Sequence, residues 1–380
     1  MKKLFLSLLA LAAISITHAQ KNKLQSAINY FRYEEYDKAK EAIDLASDHE
    51  DTKIMGKTWL WRGKIYAALA TTKKEELKSL SENPLDEAYN AYTKAYELGG
   101  KKLDENDLNN SFALLINPSF TKGVDYYNKA DYKNAVEMFE RTAKINEKFN
   151  LVDTLSIYNA ALAAEKGGDH DKALANYKKC LSYGYGGAGM YTTVANVYAL
   201  KGDKKAALDF VVNEGRKKYP SNQDLINYEF SLYLQDNNYE GALSSINASI
   251  ENDPDNEVYY YNRGFLYDQM GEIPKAAENY QKALNLKKDY FDAAYNLGAL
   301  FFNKGADLVK EANDLPLKEA TKAEGLKKEA QNYFTKALAP LENAHELNPE
   351  DKNTMISLRS IYARTGANEK YKEINDKLTN

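Results

Sequence analysis

Few side chains in this sequence are spaced for covalent or metal chemistry. Beyond the first twenty residues there are three histidines, His49, His170 and His345, far apart and each near a predicted helix end. No His-x-x-x-His, Cys-x-x-Cys or paired-carboxylate motif is present. The metal and general acid–base patterns that depend on such spacing are therefore missing. Cys180 is the single cysteine, so no intramolecular disulfide can form. It falls where a small apolar residue packs, a poor setting for a reactive thiol. The run YGYGGAG, Tyr183 to Gly189, has glycines but lacks the Gly-Lys-Ser/Thr ending and follows a helical pattern instead of a strand, which argues against a phosphate loop. The expectation is a protein that is not an enzyme and carries no metal or cofactor.

What the chain has in quantity is rings: 30 tyrosines and 13 phenylalanines against two tryptophans. Such rings either fill a core or build a contact surface. The stretch VYYYNRGFLYDQMGEIPKAAENYQKAL, Val258 to Leu284, shows how they are held. Tyr260, Gly264 and Tyr267 share one helical face; Gly271 supplies a helix end; Ala276, Tyr280 and Ala283 share a face of a second helix. A small residue lets two backbones approach, and the large one beside it fills the remaining space.

This arrangement recurs at about 34 residues. The first small position reads Gly63, Gly123, Ala161, Ala195, Gly264 and Gly298. The second reads Ala39, Ala88, Ala135, Ala173, Ala207, Ala242, Ala276 and Ala337. Four residues later come Ile43, Tyr92, Phe139, Tyr177, Val211, Ile246, Tyr280 and Leu341. Phe230 and Arg359 replace the first small residue in two units, where packing must loosen or shift, and Tyr371 replaces the alanine in the last. About nine units begin near Gln20, Gly56, Ile116, Thr154, Ala188, Gln223, Glu257, Phe291 and Lys352. Two are interrupted: one between Tyr66 and Ala88, the other by a charged, helically spaced insert with Pro316 near its middle. A short extra helix ending at Asn117-Pro118 is expected in the segment Asn106 to Pro118.

The pattern resembles the tetratricopeptide repeat, over nearly all of the chain after residue 19. That resemblance implies an all-α fold, a right-handed superhelical solenoid of helix–turn–helix repeats, with a lengthened helical hairpin in the eighth unit. It also implies that the first helix of each unit lines the inner wall, through its second, fifth, sixth, ninth and twelfth residues. On these positions the partner-binding groove is expected at Tyr158, Asn159, Asn196, Asn227, Tyr261, Asn262, Phe265, Tyr295, Asn296 and Phe302. Asparagine pairs with both N–H and C=O of an extended peptide, and tyrosine adds area at low entropy cost. The lysine/asparagine/arginine clamp that some family members use for a carboxyl-terminal peptide is not reproduced; Lys64 is the only clear groove lysine in the opening units.

The first residues add a location. Met1-Lys2-Lys3, then apolar Leu4 to Ile16, then Thr17-His18-Ala19, have the layout of a cleaved export signal and are too short to span a bilayer. Without Lys2 and Lys3, 49 basic face 55 acidic residues, a net charge of −6. That balance is unsuited to phosphate backbones, so nucleic acid is not an expected partner. The resulting division is 1–19 signal peptide, 20–115 N-terminal repeats with an insertion, 116–302 central array, 303–336 helical hairpin and 337–380 C-terminal repeat with capping helix. The expected function is a non-enzymatic scaffold of the bacterial envelope, periplasmic or outer-membrane-associated through a partner, that binds a protein or peptide. Secretion is the alternative location, and a glycan or cell-wall polymer the alternative ligand.

Overall fold

A computed structural model describes residues 22–101 and 103–379. The expected signal at 1–19 lies outside the described residues. Helices account for the described elements, with no strand among them. In chain order they are α1 (Lys23–Arg32), α2 (Tyr36–Asp48), α3 (Gly56–Thr71), α4 (Glu75–Lys78), α5 (Pro84–Leu98), α6 (Glu105–Ala113), α7 (Ile116–Asn128), α8 (Tyr132–Lys148), α9 (Thr154–Lys166), α10 (His170–Ser182), α11 (Gly189–Leu200), α12 (Lys204–Phe210), α13 (Gln223–Gln235), α14 (Tyr239–Asn252), α15 (Glu257–Gln269), α16 (Ile273–Leu286), α17 (Phe291–Asp314), α18 (Ala320–Leu347), α19 (Lys352–Thr365) and α20 (Asn368–Thr379). A π-helical turn, Val211–Arg216, continues α12, and a 3-10 turn, Leu317–Glu319, precedes α18. Two compact units divide at Gly202, inside the array expected over 116–302.

Helix starts follow local chemistry. Asp131, Asp153, Asp169, Asn222, Asn238 and Asp351 each accept a hydrogen bond from a backbone N–H of the helix they precede, satisfying a donor that has no partner within the helix. The turns inside the hairpins share one conformation. Five residues before a marker alanine the backbone is left-handed, at Glu34, Ala130, Gly168, Gly202, Asn237 and Gly271. The chain needs that reversal even where the residue is not glycine.

The alanine series is what lets the hairpins close. All eight alanines are fully buried, at 0% exposure, and the large residues four places on are at 2% or less. Those large side chains fill the room left by the first helix's glycine. A Cβ built at Gly264 would lie 2.9 Å from the Tyr280 ring, one at Gly123 2.9 Å from Phe139, and one at Gly298 2.5 Å from Leu341; Gly63 faces the Tyr92 ring in the same way. Each glycine and its filler belong to one hairpin. Where Phe230 takes the small position, the packing shifts: the filler is the shorter Ile246, and Gly241 makes room for Tyr233 instead.

The lengthened hairpin is α17 with α18, 24 and 28 residues, reversing around Pro316. Leu308, Ala312, Ala330 and Phe334 are buried along it. The interrupted second unit contains the short α4. The extra helix is α6, but it ends at Ala113, and Asn117-Pro118 falls in the first turn of α7. Proline is tolerated there because a first-turn N–H has no intrahelical acceptor to lose.

Candidate interaction surface

The residues with reactive side chains are built into the packing. Cys180 is fully buried, its Sγ facing the Thr154 carbonyl at 3.8 Å, and burial pushes its thiol up to about 11. His49 follows the last residue of α2, His170 opens α10, and His345 lies in the last turn of α18. Among the described residues no three His, Cys, Asp or Glu converge as a metal site would require, and no helix is long and apolar enough to cross a membrane. Gly184, Gly186 and Gly187 are left-handed turn residues leading into α11.

In the unit that ends at Gly202, Tyr158 on α9 is half-buried, its ring 5.7 Å from Tyr177 and 5.6 Å from Tyr185. Asn159 beside it is also half-buried, while Asn196 on α11 is exposed. Lys64 is already engaged: its Nζ lies 2.6 Å from both carboxylate oxygens of Asp107 on α6 and 4.7 Å from the Trp61 ring. A recess of about 700 Å³ in this unit lies where the end of α3 meets α4, the start of α5 and α7; Thr71, Lys78, Asn83, Asn117, Thr121 and Tyr126 line it. It is made by the interruption between Tyr66 and Ala88.

In the unit that begins at Asp203, three first helices share a run of rings and amides. Asn227 on α13 is exposed and accepts from Gln223 Nε2 at 2.9 Å, and the Gln223 carbonyl accepts from Asn256 Nδ2 at 3.2 Å. Phe230 meets Phe265 of α15 edge to face at 6.5 Å. Tyr261 packs between Tyr280 at 5.9 Å and Tyr290 at 5.2 Å, and its hydroxyl accepts from Asn296 Nδ2 of α17 at 2.9 Å. Tyr295 stacks on Phe291, and Phe302 lies 5.7 Å from Phe334. Burial raises the Tyr158, Tyr261 and Tyr295 hydroxyls above the usual phenol value, which keeps them neutral hydrogen-bonding groups.

Asn262 departs from the expected groove. It is buried, with 8% exposed. Two residues escaped the sequence reading. Tyr290 sits just before α17, where other helices carry a capping Asp or Asn, and that break in the pattern was its only signal. Asp268 holds the twelfth position of its unit, half-buried, with its carboxyl raised by burial.

A raised carboxyl means that the fold disfavours the charged form. Its cost is absent below the unfolded value near 3.8 and grows as pH rises toward the folded value. Asp268→Asn should therefore raise the melting temperature at pH 7 and give no gain at pH 3. Paired thermal melts at the two pH values check this; equal effects at both would exclude a titrating origin.

Two repeat profiles match within this helical array. A TPR repeat profile matches residues 266–305, and a tetratricopeptide repeat profile matches residues 156–183. A 96-residue stretch is 30% identical to rat DnaJ homolog subfamily C member 3, covering 25% of this chain and 19% of that protein, so the chain spans about a fifth of that relative's length. A TPR repeat-containing protein of Methanocaldococcus jannaschii is 22% identical over 88% of this chain and 65% of its own. The crystal structure of a TPR repeats protein from Bacteroides fragilis aligns with 66% of this chain and 98% of its own, at 23% identity and a TM-score of 0.37.

Proposed function

This chain is a tetratricopeptide-repeat protein, and from that premise we propose that it is an exported, non-enzymatic scaffold of the bacterial envelope. It holds a peptide or a loop of a protein partner on the face lined by its first helices. The observation that carries this reading is the ring-and-amide run from Asn227 through Phe265 to Asn296. Its rings are braced from behind, as Tyr261 is by Tyr280 and Tyr290, so little order has to be created when a partner binds. Asn227 leaves its amide in solvent to pair with a peptide backbone. Export rests on the basic and apolar layout of the first nineteen residues.

A photo-crosslinking residue placed at Asn227 or Asn196 should capture discrete chains from the native envelope, and one at exposed Glu240 on a second helix should not. Phe265→Ala should weaken capture about tenfold with helix content kept. Equal capture from all three positions would reject the first-helix face as the site, and recovery of the protein in the cytoplasmic fraction would reject export.

A further inference from the structure

Two repeats place an arginine directly before the small residue of the first helix: Arg62 before Gly63, and Arg263 before Gly264. Arg62 is neutralised twice, by Asp44 at 2.5 Å and Glu87 at 2.9 Å. Arg263 has the same kind of setting with the charges removed. Its Nη1 donates to Asn247 Oδ1 at 2.9 Å and its Nε to Asn279 Oδ1 at 2.7 Å. The match is positional: Asp44 lies five residues after Ala39, and Asn247 five after Ala242. An amide stands where the other repeat has a carboxylate.

A second cation joins it. Lys282 and Arg263 both lie against the Tyr260 ring, at 5.6 and 5.3 Å. Neither has an ion-pair partner among the described residues. Both line a recess of about 340 Å³, together with Asn279 and Asn285. Asn279 is itself buried, and its Nδ2 is spent on the Lys275 carbonyl at 2.8 Å, so its oxygen is fixed to hold Arg263. The Asn285 oxygen accepts from Gln281, which leaves its N–H groups to donate. Arg263 keeps its Nη2 edge and its whole charge for a ligand. Glu278 also lines the recess and is the one like charge that an anion would meet.

A guanidinium fork oriented by neutral amides, with a second cation beside it, suits a planar oxyanion. We infer that this recess takes a carboxylate carried by an acidic segment of the protein partner. The carrier rests on the protein-binding reading above; the anion chemistry does not.

The test uses the full chain and fluorescence anisotropy of a labelled oligo-glutamate peptide, with oligo-glutamine of equal length as control and inorganic phosphate as competitor. Oligo-glutamate should bind, more weakly as salt is raised, against the net charge of −4 on the chain. Arg263→Gln should weaken it about tenfold or more. Asn247→Asp should close the site by restoring the ion pair that Arg62 makes, abolishing binding while the melting temperature holds or rises. Glu278→Gln should tighten it. Binding no better than that of oligo-glutamine, or indifferent to Arg263→Gln and Asn247→Asp, overturns the assignment. So does phosphate bound with the same variant dependence when oligo-glutamate is not. Silent crosslinks from Asn227 with this binding intact would remove the first-helix reading and leave the oxyanion site standing.

Discussion

Arg216→Met should lower stability by about 3–5 kcal/mol, whereas Arg216→Met combined with Glu229→Leu should recover most of the loss. Glu229 is buried on α13 and receives Arg216 Nε at 3.0 Å. The same guanidinium donates to Ser249 Oγ on α14 at 2.9 Å and to the Pro220 carbonyl. Removing the cation alone strands a carboxylate away from water, and that uncompensated charge is the main cost. Removing both leaves an apolar contact of similar volume. The π-helical turn that ends at Arg216 is what brings it to this place. Denaturant titrations followed by helix signal decide it. A single variant within about 1 kcal/mol of the parent would show that water reaches the pair and screens it.

The second large effect is expected at the joint of the seventh hairpin. Tyr280 is fully buried against Gly264, so Tyr280→Ala should cost about 3–5 kcal/mol. Gly264→Leu alone should also destabilise, because its Cβ already meets the ring. Together the two changes should cost less than their sum, since the new leucine enters the space that the ring leaves. The Tyr280 hydroxyl has no hydrogen-bond partner among the described residues, so Tyr280→Phe should lose nothing. Strict additivity in the double-mutant cycle would mean that the glycine and the ring do not share one space.

The elements that were legible before any coordinates are those set by near neighbours in sequence. Gly56, Ile116, Thr154, Gln223, Glu257, Phe291 and Lys352 do open helices; an Asp or Asn cap marks the starts at Thr154, Gln223, Glu257 and Lys352, and the small–large rhythm alone marks the other three. The lengthened hairpin was visible for the same reason: Leu308, Ala312 and Leu315 before Pro316, then Ala320, Ala323 and Leu326, keep helical spacing through a charged stretch. The left-handed turns at Glu34 and Ala130 were hidden, since their propensities point elsewhere and only the register of the neighbouring alanine imposes them. The surface was partly legible. Asn227 and Asn196 are exposed and Asn262 is buried, a distinction that a face assignment by spacing alone cannot resolve. Polar pairings such as Arg216 with Glu229, or Arg62 with Asp44 and Glu87, link residues whose distance in sequence carries no signal.

Every glycine joint is closed by a side chain from its own hairpin, whether the second helix follows at once, as from Gly264 to Tyr280, or only after a long excursion, as from Gly298 to Leu341. Each module thus carries its own latch. New length can therefore be added at the far end of a hairpin without retuning its hinge, as the 24- and 28-residue pair α17 and α18 illustrates.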